Sequence, residues 1–311
     1  MLSRNRAGSS ALALSIAAAL LFTIGTATGA SAQVRWDRGQ NVAPVFEGWE
    51  RNADGTFNMV FGYMNRNYEE MPHIPVGENN FFEPGPADRG QPSRFYVRRQ
   101  QFVFKVQVPA DWGEKDLVWT LTHQGRTDKA YASLWPVWEL DVGVLSKNRG
   151  MGTPTGALYD NQHPAVALSG AHDLTVTLPD TLTLTAVVTD DGVPGPRARR
   201  EPPSDPRLAA FQRERARRPS PNNQAVVSSR VAARTGLAVT WTLYRGPGMV
   251  TFDPMSIPVE GGRGGETVTT ASFDSPGTYV LRAYADDSVL TTPLDVTVTV
   301  QPEPAPRRAR R

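Results

Sequence analysis

The sequence predicts an all-β protein of two β-sandwich domains, preceded by a cleaved signal helix and interrupted by a disordered Arg/Pro-rich insert. Residues 94–108 and 181–189 alternate in side-chain character with period two, which is typical of half-buried strands. Such segments stop at Gly, Pro or Asp, the residues that form turns. No window before Gly150 combines the apolar spacing of an amphipathic helix with capping residues. Strands and turns are therefore expected to build both domains.

The N-terminal domain opens with a hairpin signal. Two aromatic-bearing runs, residues 42–51 and 56–65, flank Asp54-Gly55, and Gly accepts the positive φ that a tight turn requires. In a later strand, Trp119 falls on the apolar face, because successive side chains in a strand point to opposite sides. We predict that Trp119 is a core residue of this sandwich.

Residues 1–32 have the three-part form of a secretory signal. The parts are two arginines (Arg4 and Arg6), an apolar run (residues 11–24) and a small-residue exit (residues 30–32). The Ala-rich run is short of the roughly 20 apolar residues that a membrane span needs, which favours cleavage over the alternative of an uncleaved anchor. No later stretch is apolar enough to span a bilayer. We therefore predict an exported protein that is periplasmic, cell-envelope-associated or secreted, with no transmembrane span in the mature chain.

Charge is distributed unevenly along the chain. The full chain is +2, and loss of two signal arginines gives 2 − 2 = 0. Residues 197–234 carry ten Arg and three acids, 10 − 3 = +7, and residues 301–311 carry four Arg and one Glu, 4 − 1 = +3. The remainder is then 0 − 7 − 3 = −10, so basic segments are attached to an acidic body. The chain has no cysteine, which excludes disulfides and thiolate metal sites.

Changes in composition divide the chain into segments. The predicted segments are a signal peptide (1–32), an N-terminal β-sandwich (37–145), a Gly/Pro-rich linker (146–172), a second sandwich (173–300) with a disordered insert (197–235), and a basic Pro-rich tail (301–311). Within the insert, residues 205–217 have the composition of a transient helix. Leu208 and Phe211 are its large apolar residues, which is too little apolar surface for independent folding.

The second sandwich resembles the PKD and REJ-like branch of immunoglobulin-like modules. A Leu-Thr-Leu-Thr-Ala strand ends at Asp191-Gly192, the next strand carries Trp241, and Gly246-Pro-Gly248 follows it. The resemblance implies that Trp241 packs between two sheets and that Tyr279 occupies a corner where its hydroxyl bonds nearby backbone. The long insert departs from the short loop usual at that place. The N-terminal region looks like exported bacterial proteins of unknown function, a resemblance that supplies no activity.

Four aspartates form a candidate Ca²⁺ site at strand ends of the second sandwich. They are Asp190, Asp191, Asp286 and Asp287. Adjacent sandwich loops bring such carboxylates together as the oxygen ligands that Ca²⁺ prefers. The alternative is that each aspartate only caps a turn, as Asp commonly does before Gly.

Aromatic and amide side chains form a candidate ligand site in the N-terminal domain. The set is Trp49, Tyr63, Asn65, Arg66, Asn67, Tyr68, Glu69, Phe81 and Phe82. Aromatic rings stack on sugars or anchor interfaces, and the polar members would orient the ligand. The alternative is that these aromatic residues belong to the core of an all-β domain.

Catalytic signatures are missing from the sequence. There is no Gly-x-Ser-x-Gly nucleophile motif, and the four histidines lack zinc-site spacing. Glu69 and Glu70 are neighbours on an extended chain, so their carboxyl groups point to opposite faces. We therefore predict no enzymatic activity and no cofactor, apart from possible Ca²⁺.

The predicted function is binding. An envelope protein or polysaccharide is the expected partner of an N-terminal domain that the immunoglobulin-like module presents. Carbohydrate binding through aromatic loops is the alternative, and a Ca²⁺-stabilised adhesion module is the third hypothesis. Residues 197–234 suit an anionic polymer, or equally attraction to the acidic body. Nucleic acid is disfavoured, because Phe211 is the only aromatic residue in the basic segments.

Overall fold

A computed structural model describes residues 36–171, 173–196, 204–217, 232 and 235–304. The predicted signal peptide lies outside the described residues, as do most of the predicted disordered insert and residues 305–311 of the basic tail. The described part consists mainly of strands, which confirms the all-β class.

Two three-stranded antiparallel sheets form the N-terminal part. Their orders are β1-β2-β4 and β3-β5-β6. The strands are β1 (Val42–Arg51), β2 (Phe57–Asn65), β3 (Asn80–Glu83), β4 (Arg98–Val108), β5 (Leu117–His123) and β6 (Arg126–Ala132). The hairpin predicted around Asp54-Gly55 is confirmed, since β1 pairs with β2 and Gly55 has φ +85°.

Aromatic rings fill the space between these two sheets. Trp119 is fully buried, with Phe82 stacked on it at 5.8 Å between ring centroids and Phe104 edge-on at 5.0 Å. The Trp119 indole donates a hydrogen bond to Asn80 Oδ1 at 3.0 Å, which satisfies its polar atom inside the core. Phe61 packs edge-on against the same indole at 6.0 Å.

The chain between the two parts contains short helical turns and one strand. These elements are a 3-10 turn (Pro136–Trp138), helix α1 (Val142–Asn148), a second 3-10 turn (Gly156–Asp160) and strand β7 (Ala165–Leu168). Asp141 caps α1, because its carboxylate accepts a hydrogen bond from the Val144 amide at 2.7 Å. Strand β7 pairs with the strand Leu182–Thr189 of the second part, so residues predicted as a linker contribute to that sheet.

The second part is an immunoglobulin-like sandwich. Its further elements are β8 (Asp173–Thr177), β9 (Leu182–Thr189), α2 (Pro206–Arg217), β10 (Ala238–Arg245), β11 (Val250–Asp253), β12 (Ser256–Pro258), β13 (Gly264–Phe273), β14 (Gly277–Asp286) and β15 (Thr291–Gln301). The sheet orders are β12-β10-β14-β15-β8 and β11-β13-β9-β7. Counted as A, B, C, E, F and G, strands β7, β9, β10, β13, β14 and β15 divide into A-B-E and C-F-G, as in immunoglobulin domains. The narrower PKD-like assignment stays a prediction.

Trp241 and Tyr279 lie in the core of this sandwich. Trp241 on β10 is fully buried and stacks with Phe252 of the opposite sheet at 6.4 Å. The Tyr279 hydroxyl donates a hydrogen bond to the Ser275 carbonyl at 2.6 Å. This is the tyrosine-corner geometry of the fold.

The outer face of β10 and β14 packs against the N-terminal part. Tyr244 joins the N-terminal aromatic core, and the Tyr284 hydroxyl donates to the Val103 carbonyl at 3.0 Å. Arg282 donates to the same carbonyl at 3.2 Å and lies 3.5 Å from the Tyr244 ring centroid. The described residues from Trp36 onward belong to one compact unit. The predicted domain boundaries themselves stay a prediction.

Candidate functional site

Much of the predicted aromatic and amide site lies inside the protein. Five of its residues are buried, with at most 3% of their surface exposed: Trp49, Tyr63, Asn65, Asn67 and Phe82. Their side chains therefore cannot stack on a ligand at the surface. Tyr63 and Phe82 belong to the aromatic core of the N-terminal part, and Trp49 packs edge-on against Phe57 at 5.4 Å between ring centroids.

The buried amides organise backbone rather than a ligand. Asn65 Nδ2 donates to the carbonyls of Glu70 at 2.7 Å and Phe95 at 3.1 Å. Asn67 Nδ2 donates to the Gln40 carbonyl at 2.8 Å. A buried amide satisfied in this way fixes loop conformation, which accounts for the Asn-rich composition after β2.

Four residues of the predicted set retain surface exposure: Arg66, Tyr68, Glu69 and Phe81. The Arg98 guanidinium lies 4.0 Å from the centroid of the Tyr68 ring, so a cation covers one face of this aromatic. Arg98 also donates to the Arg66 carbonyl at 3.0 Å. Ligand binding by these four residues stays a prediction.

Two of the predicted Ca²⁺ ligands accept hydrogen bonds at the turn between β14 and β15. Arg149 forms a 2.5 Å ion pair with Asp286, and both partners are at most 10% exposed. One oxygen of Asp287 accepts from the amides of Val289 at 2.6 Å and Leu290 at 2.7 Å. Its other oxygen accepts from Asn161 at 3.0 Å. These oxygens are occupied by N–H donors.

The other predicted pair, Asp190 and Asp191, also accepts turn hydrogen bonds. Asp190 accepts from the Gly192 amide at 2.7 Å, and Asp191 accepts from Val193 at 2.8 Å and Gln162 at 3.0 Å. Within the described ranges, no group of three or more acidic or histidine side chains is placed to hold a metal ion. The alternative hypothesis, that these aspartates cap turns, agrees with the hydrogen bonds that they accept from turn amides.

Asp287 gives the fold a pH dependence. Burial raises the pKa of this carboxyl from 3.8 to about 7, despite its hydrogen bonds from Leu290 and Val289. The folded state therefore holds a proton that the unfolded state releases, and stability falls as the pH rises from about 4 to 7. We expect Asp287→Asn, which is neutral at every pH, to raise the melting temperature at pH 8 and leave it little changed at pH 4. The exposed Asp180→Asn is the control, and equal shifts in both variants would contradict this assignment.

An exposed aromatic segment that the sequence reasoning missed lies between β6 and α1. The indoles of Trp135 and Trp138 are 65% and 47% exposed, and Val137 is 81% exposed. Large apolar side chains seldom remain this open in contiguous sequence, and such patches mark interaction sites. We call residues 135–139 the tryptophan segment. Its sequence signal is a pair of tryptophans around Pro136 in a stretch without strand alternation.

The backbone of the tryptophan segment is held firmly against β1. The buried Trp49 indole donates to the Trp135 carbonyl at 2.8 Å, and the Leu140 amide donates to the Trp49 carbonyl at 2.8 Å. One 3-10 turn separates the indoles, closed by a 3.0 Å bond from the Trp138 amide to the Trp135 carbonyl. The Trp138 ring also packs on Phe46 at 5.8 Å. The exposed side chains therefore project from a fixed base.

Gly48 provides the space for this segment. It has φ +138°, and a Cβ there would overlap the Trp138 carbonyl oxygen and the Leu140 side chain. We expect Gly48→Ala to displace the tryptophan segment and to lower the free energy of unfolding by about 1–3 kcal/mol, because overpacking is added to backbone strain. Chemical denaturation would measure the loss. Gly39→Ala, also at positive φ but with open space, is the control for strain alone.

No helix in the ranges that the structure describes has the length and apolar character to cross a membrane. No protein-family model matches the chain, and no curated protein matches its sequence.

Several solved structures align with this chain at low TM-scores. Domains 4 and 5 of the S-layer protein SbsC align at 10% identity with a TM-score of 0.24, covering 60% of this chain and 66% of that chain. Fibronectin(III)-like modules of Clostridium thermocellum CbhA align at 10% identity with a TM-score of 0.22. The alignment covers 90% of this chain and 97% of that chain. A protein of unknown function from Porphyromonas gingivalis W83 aligns at 10% identity with a TM-score of 0.24. The alignment covers 83% of this chain and 98% of that chain. The immunoglobulin-like assignment here follows from the strand order.

Proposed function

We propose that the protein is a non-catalytic, exported, envelope-associated binding protein whose contact surface is the tryptophan segment. The observation that carries this proposal is the exposure of Trp135, Val137 and Trp138 on a backbone fixed by Trp49. Tryptophan is enriched among the few residues that carry most of the binding energy at protein interfaces, because it buries a large area with little loss of side-chain freedom. A rigid base lowers the ordering cost of association further.

The expected partner is an envelope protein or polysaccharide. A specific feature favours polysaccharide as the second candidate: Glu139, which directly follows Trp138 in the chain, is exposed. Indole faces stack on sugar rings, and a carboxylate accepts hydrogen bonds from sugar hydroxyls. This carbohydrate hypothesis uses the tryptophan segment in place of the buried Trp49 and Tyr63.

Capture from envelope extract tests the proposal. The mature chain is compared with Trp135→Ala/Trp138→Ala and with Trp36→Ala, a control of the same residue type that is 56% exposed. We expect the double variant to lose the partner at high salt and the control to retain it. Retention by the double variant would overturn the proposal. Protease treatment of the extract separates the two partners, since a polysaccharide survives it.

The predicted role of residues 197–234 in binding an anionic polymer is a separate part of the proposal. Deleting the segment is expected to weaken low-salt capture only, because electrostatic attraction is screened by salt. A partner that both the intact chain and the chain lacking residues 197–234 retain at high salt is bound by the folded domains.

A further inference from the structure

Helix α2 presents its two largest apolar side chains to solvent. Leu208 and Phe211 are 47% and 62% exposed, whereas Ala209 between them is 7% exposed. Side chains three residues apart lie on the same face of a helix, so Leu208 and Phe211 form one patch. In most surface helices the apolar side faces the core of the protein. We call this exposed pair the α2 patch.

Asp205 fixes the start of the helix that carries the α2 patch. Its carboxylate accepts a hydrogen bond from the Arg207 amide at 2.8 Å, and its carbonyl accepts one from the Ala209 amide at 2.9 Å. Such bonds satisfy backbone donors of the first helical turn. Leu208 therefore lies in a capped first turn, and Phe211 lies one turn further along.

Positive charge accompanies the α2 patch. Helix α2 contains four arginines and one glutamate, 4 − 1 = +3, and the whole segment 197–234 has a formal charge of +7. The folded body outside the basic segments is acidic, so an anionic surface attracts the insert and repels the body. A complementary partner therefore combines negative charge with an apolar phase.

An anionic lipid bilayer meets both requirements. Its phosphate groups attract arginine, and the boundary between its headgroups and acyl chains buries the apolar side of a basic helix. An anionic polysaccharide supplies the negative charge but leaves the Leu208 side chain in water. The exposed apolar pair therefore favours a lipid surface over a soluble polyanion.

The insert that contains α2 joins the sandwich at one place. A Cβ atom on Gly236 would lie 3.2 Å from Pro196 Cδ, so the residues that flank the insert adjoin each other. Both belong to the connection between β9 and β10. Helix α2 can therefore engage a surface outside the sandwich without separating its two sheets.

We propose that α2 attaches the protein to anionic lipid bilayers, with Leu208 and Phe211 at the boundary between headgroups and acyl chains and the arginines against lipid phosphates. The inference rests on the proposed anionic partner of residues 197–234 and narrows that partner to a lipid surface. It leaves the tryptophan segment free for the envelope partner. Membrane attachment and partner capture are then separate activities of one chain.

Co-sedimentation of the mature chain with lipid vesicles tests this proposal. One set of vesicles contains phosphatidylglycerol and phosphatidylcholine in equal amounts, and the neutral reference contains phosphatidylcholine alone. The test variant is Leu208→Ser/Phe211→Ser. The matched control is Tyr159→Ser/Val268→Ser, at residues that are 63% and 50% exposed elsewhere. Circular dichroism verifies that both variants fold.

We expect the mature chain to bind the mixed vesicles about tenfold more tightly than the neutral ones, because anionic headgroups attract arginine. The test variant is expected to lose about tenfold in affinity for the mixed vesicles, because it lacks the two apolar side chains that the bilayer buries. The control variant is expected to keep the parent affinity. Heparin, a soluble polyanion, is expected to bind the parent and the test variant equally.

A fluorescent label reports insertion directly. The natural sequence has no cysteine, so one introduced cysteine carries one label. Nitrobenzoxadiazole on Phe211→Cys is expected to shift its emission to the blue when mixed vesicles are added, because the label enters an apolar phase. The same label on Tyr159→Cys is expected to keep its emission wavelength.

Equal affinity of the parent and the test variant for the mixed vesicles would overturn the proposal. Loss of vesicle binding on Trp135→Ala/Trp138→Ala, with binding retained by the test variant, would also overturn it and assign the bilayer to the tryptophan segment. The experiment uses purified protein, so its outcome is independent of capture from envelope extract. Absence of vesicle binding with intact capture would remove the lipid assignment and leave the proposed function standing.

Discussion

Trp119→Ala is expected to lower the free energy of unfolding by about 3–5 kcal/mol, as large-to-small aromatic changes in cores do. Trp119 contacts Phe61, Phe82 and Phe104, so its removal opens a cavity at the centre of the N-terminal sheets. Asn80 Oδ1 would also lose its buried donor. Urea denaturation followed by circular dichroism measures the change.

Two further variants separate packing from surface effects. Trp119→Phe keeps an aromatic ring and is expected to lose less stability than Trp119→Ala. Trp36→Ala removes an exposed indole and is expected to change stability by no more than about 0.5 kcal/mol. A Trp119→Ala loss as small as that of Trp36→Ala would contradict the placement of Trp119 at the centre of the core.

Arg94→Met is expected to lower the free energy of unfolding by about 2–4 kcal/mol, because hydrogen bonds from charged donors contribute more than neutral ones. Arg94 is 8% exposed, and its Nη2 lies 3.3, 2.9 and 3.0 Å from the carbonyls of Gly246, Pro247 and Gly248. These contacts join the N-terminal loop to the turn after β10. Methionine keeps much of the volume and supplies no donor.

Arg245→Met is the matched control at the same junction. Arg245 forms a bidentate pair with Asp88, whose side chain is 52% exposed, and exposed ion pairs contribute only about 0–1 kcal/mol. Arg245 also donates to the Gln91 carbonyl at 2.8 Å, so a small loss is expected. Equal losses in both variants would show that Arg94 is not a principal contact of the junction.

Local sequence signals identified the hairpin and the immunoglobulin-like strands. Asp54-Gly55 specifies its turn through the positive φ of glycine, independently of the rest of the chain. Period-two alternation marked β9 and the strands that follow the insert, since one face of each is covered by the opposite sheet. These features depend on residues close in sequence.

The candidate site was missed because burial depends on tertiary contacts. Asn65 and Asn67 are polar and were expected at the surface, yet distant carbonyls satisfy them inside. Trp135 and Trp138 are apolar and remain exposed, since apolar residues are not excluded from protein surfaces. Composition alone does not distinguish these cases.

The junction between the sandwiches also had no local signal. Tyr244 lies on the outward face of β10, which the alternation along the strand predicts to be exposed. That face is instead covered by residues about 150 positions earlier in the chain, such as Gly90, whose carbonyl accepts a hydrogen bond from the Tyr244 hydroxyl. Val103 likewise meets Tyr284 across a separation of 181 residues. Pairing over such distances is set by the whole fold.

Hydroxyl-radical footprinting of the mature protein, free and bound to its captured envelope partner, shows whether the tryptophan segment is the contact surface. Mass spectrometry reports oxidation of each tryptophan separately. We expect the partner to protect Trp135 and Trp138 from oxidation and to leave the oxidation of Trp36 unchanged. Unchanged oxidation of Trp135 and Trp138 in the complex, with protection elsewhere, would contradict the assignment of the tryptophan segment as the contact surface.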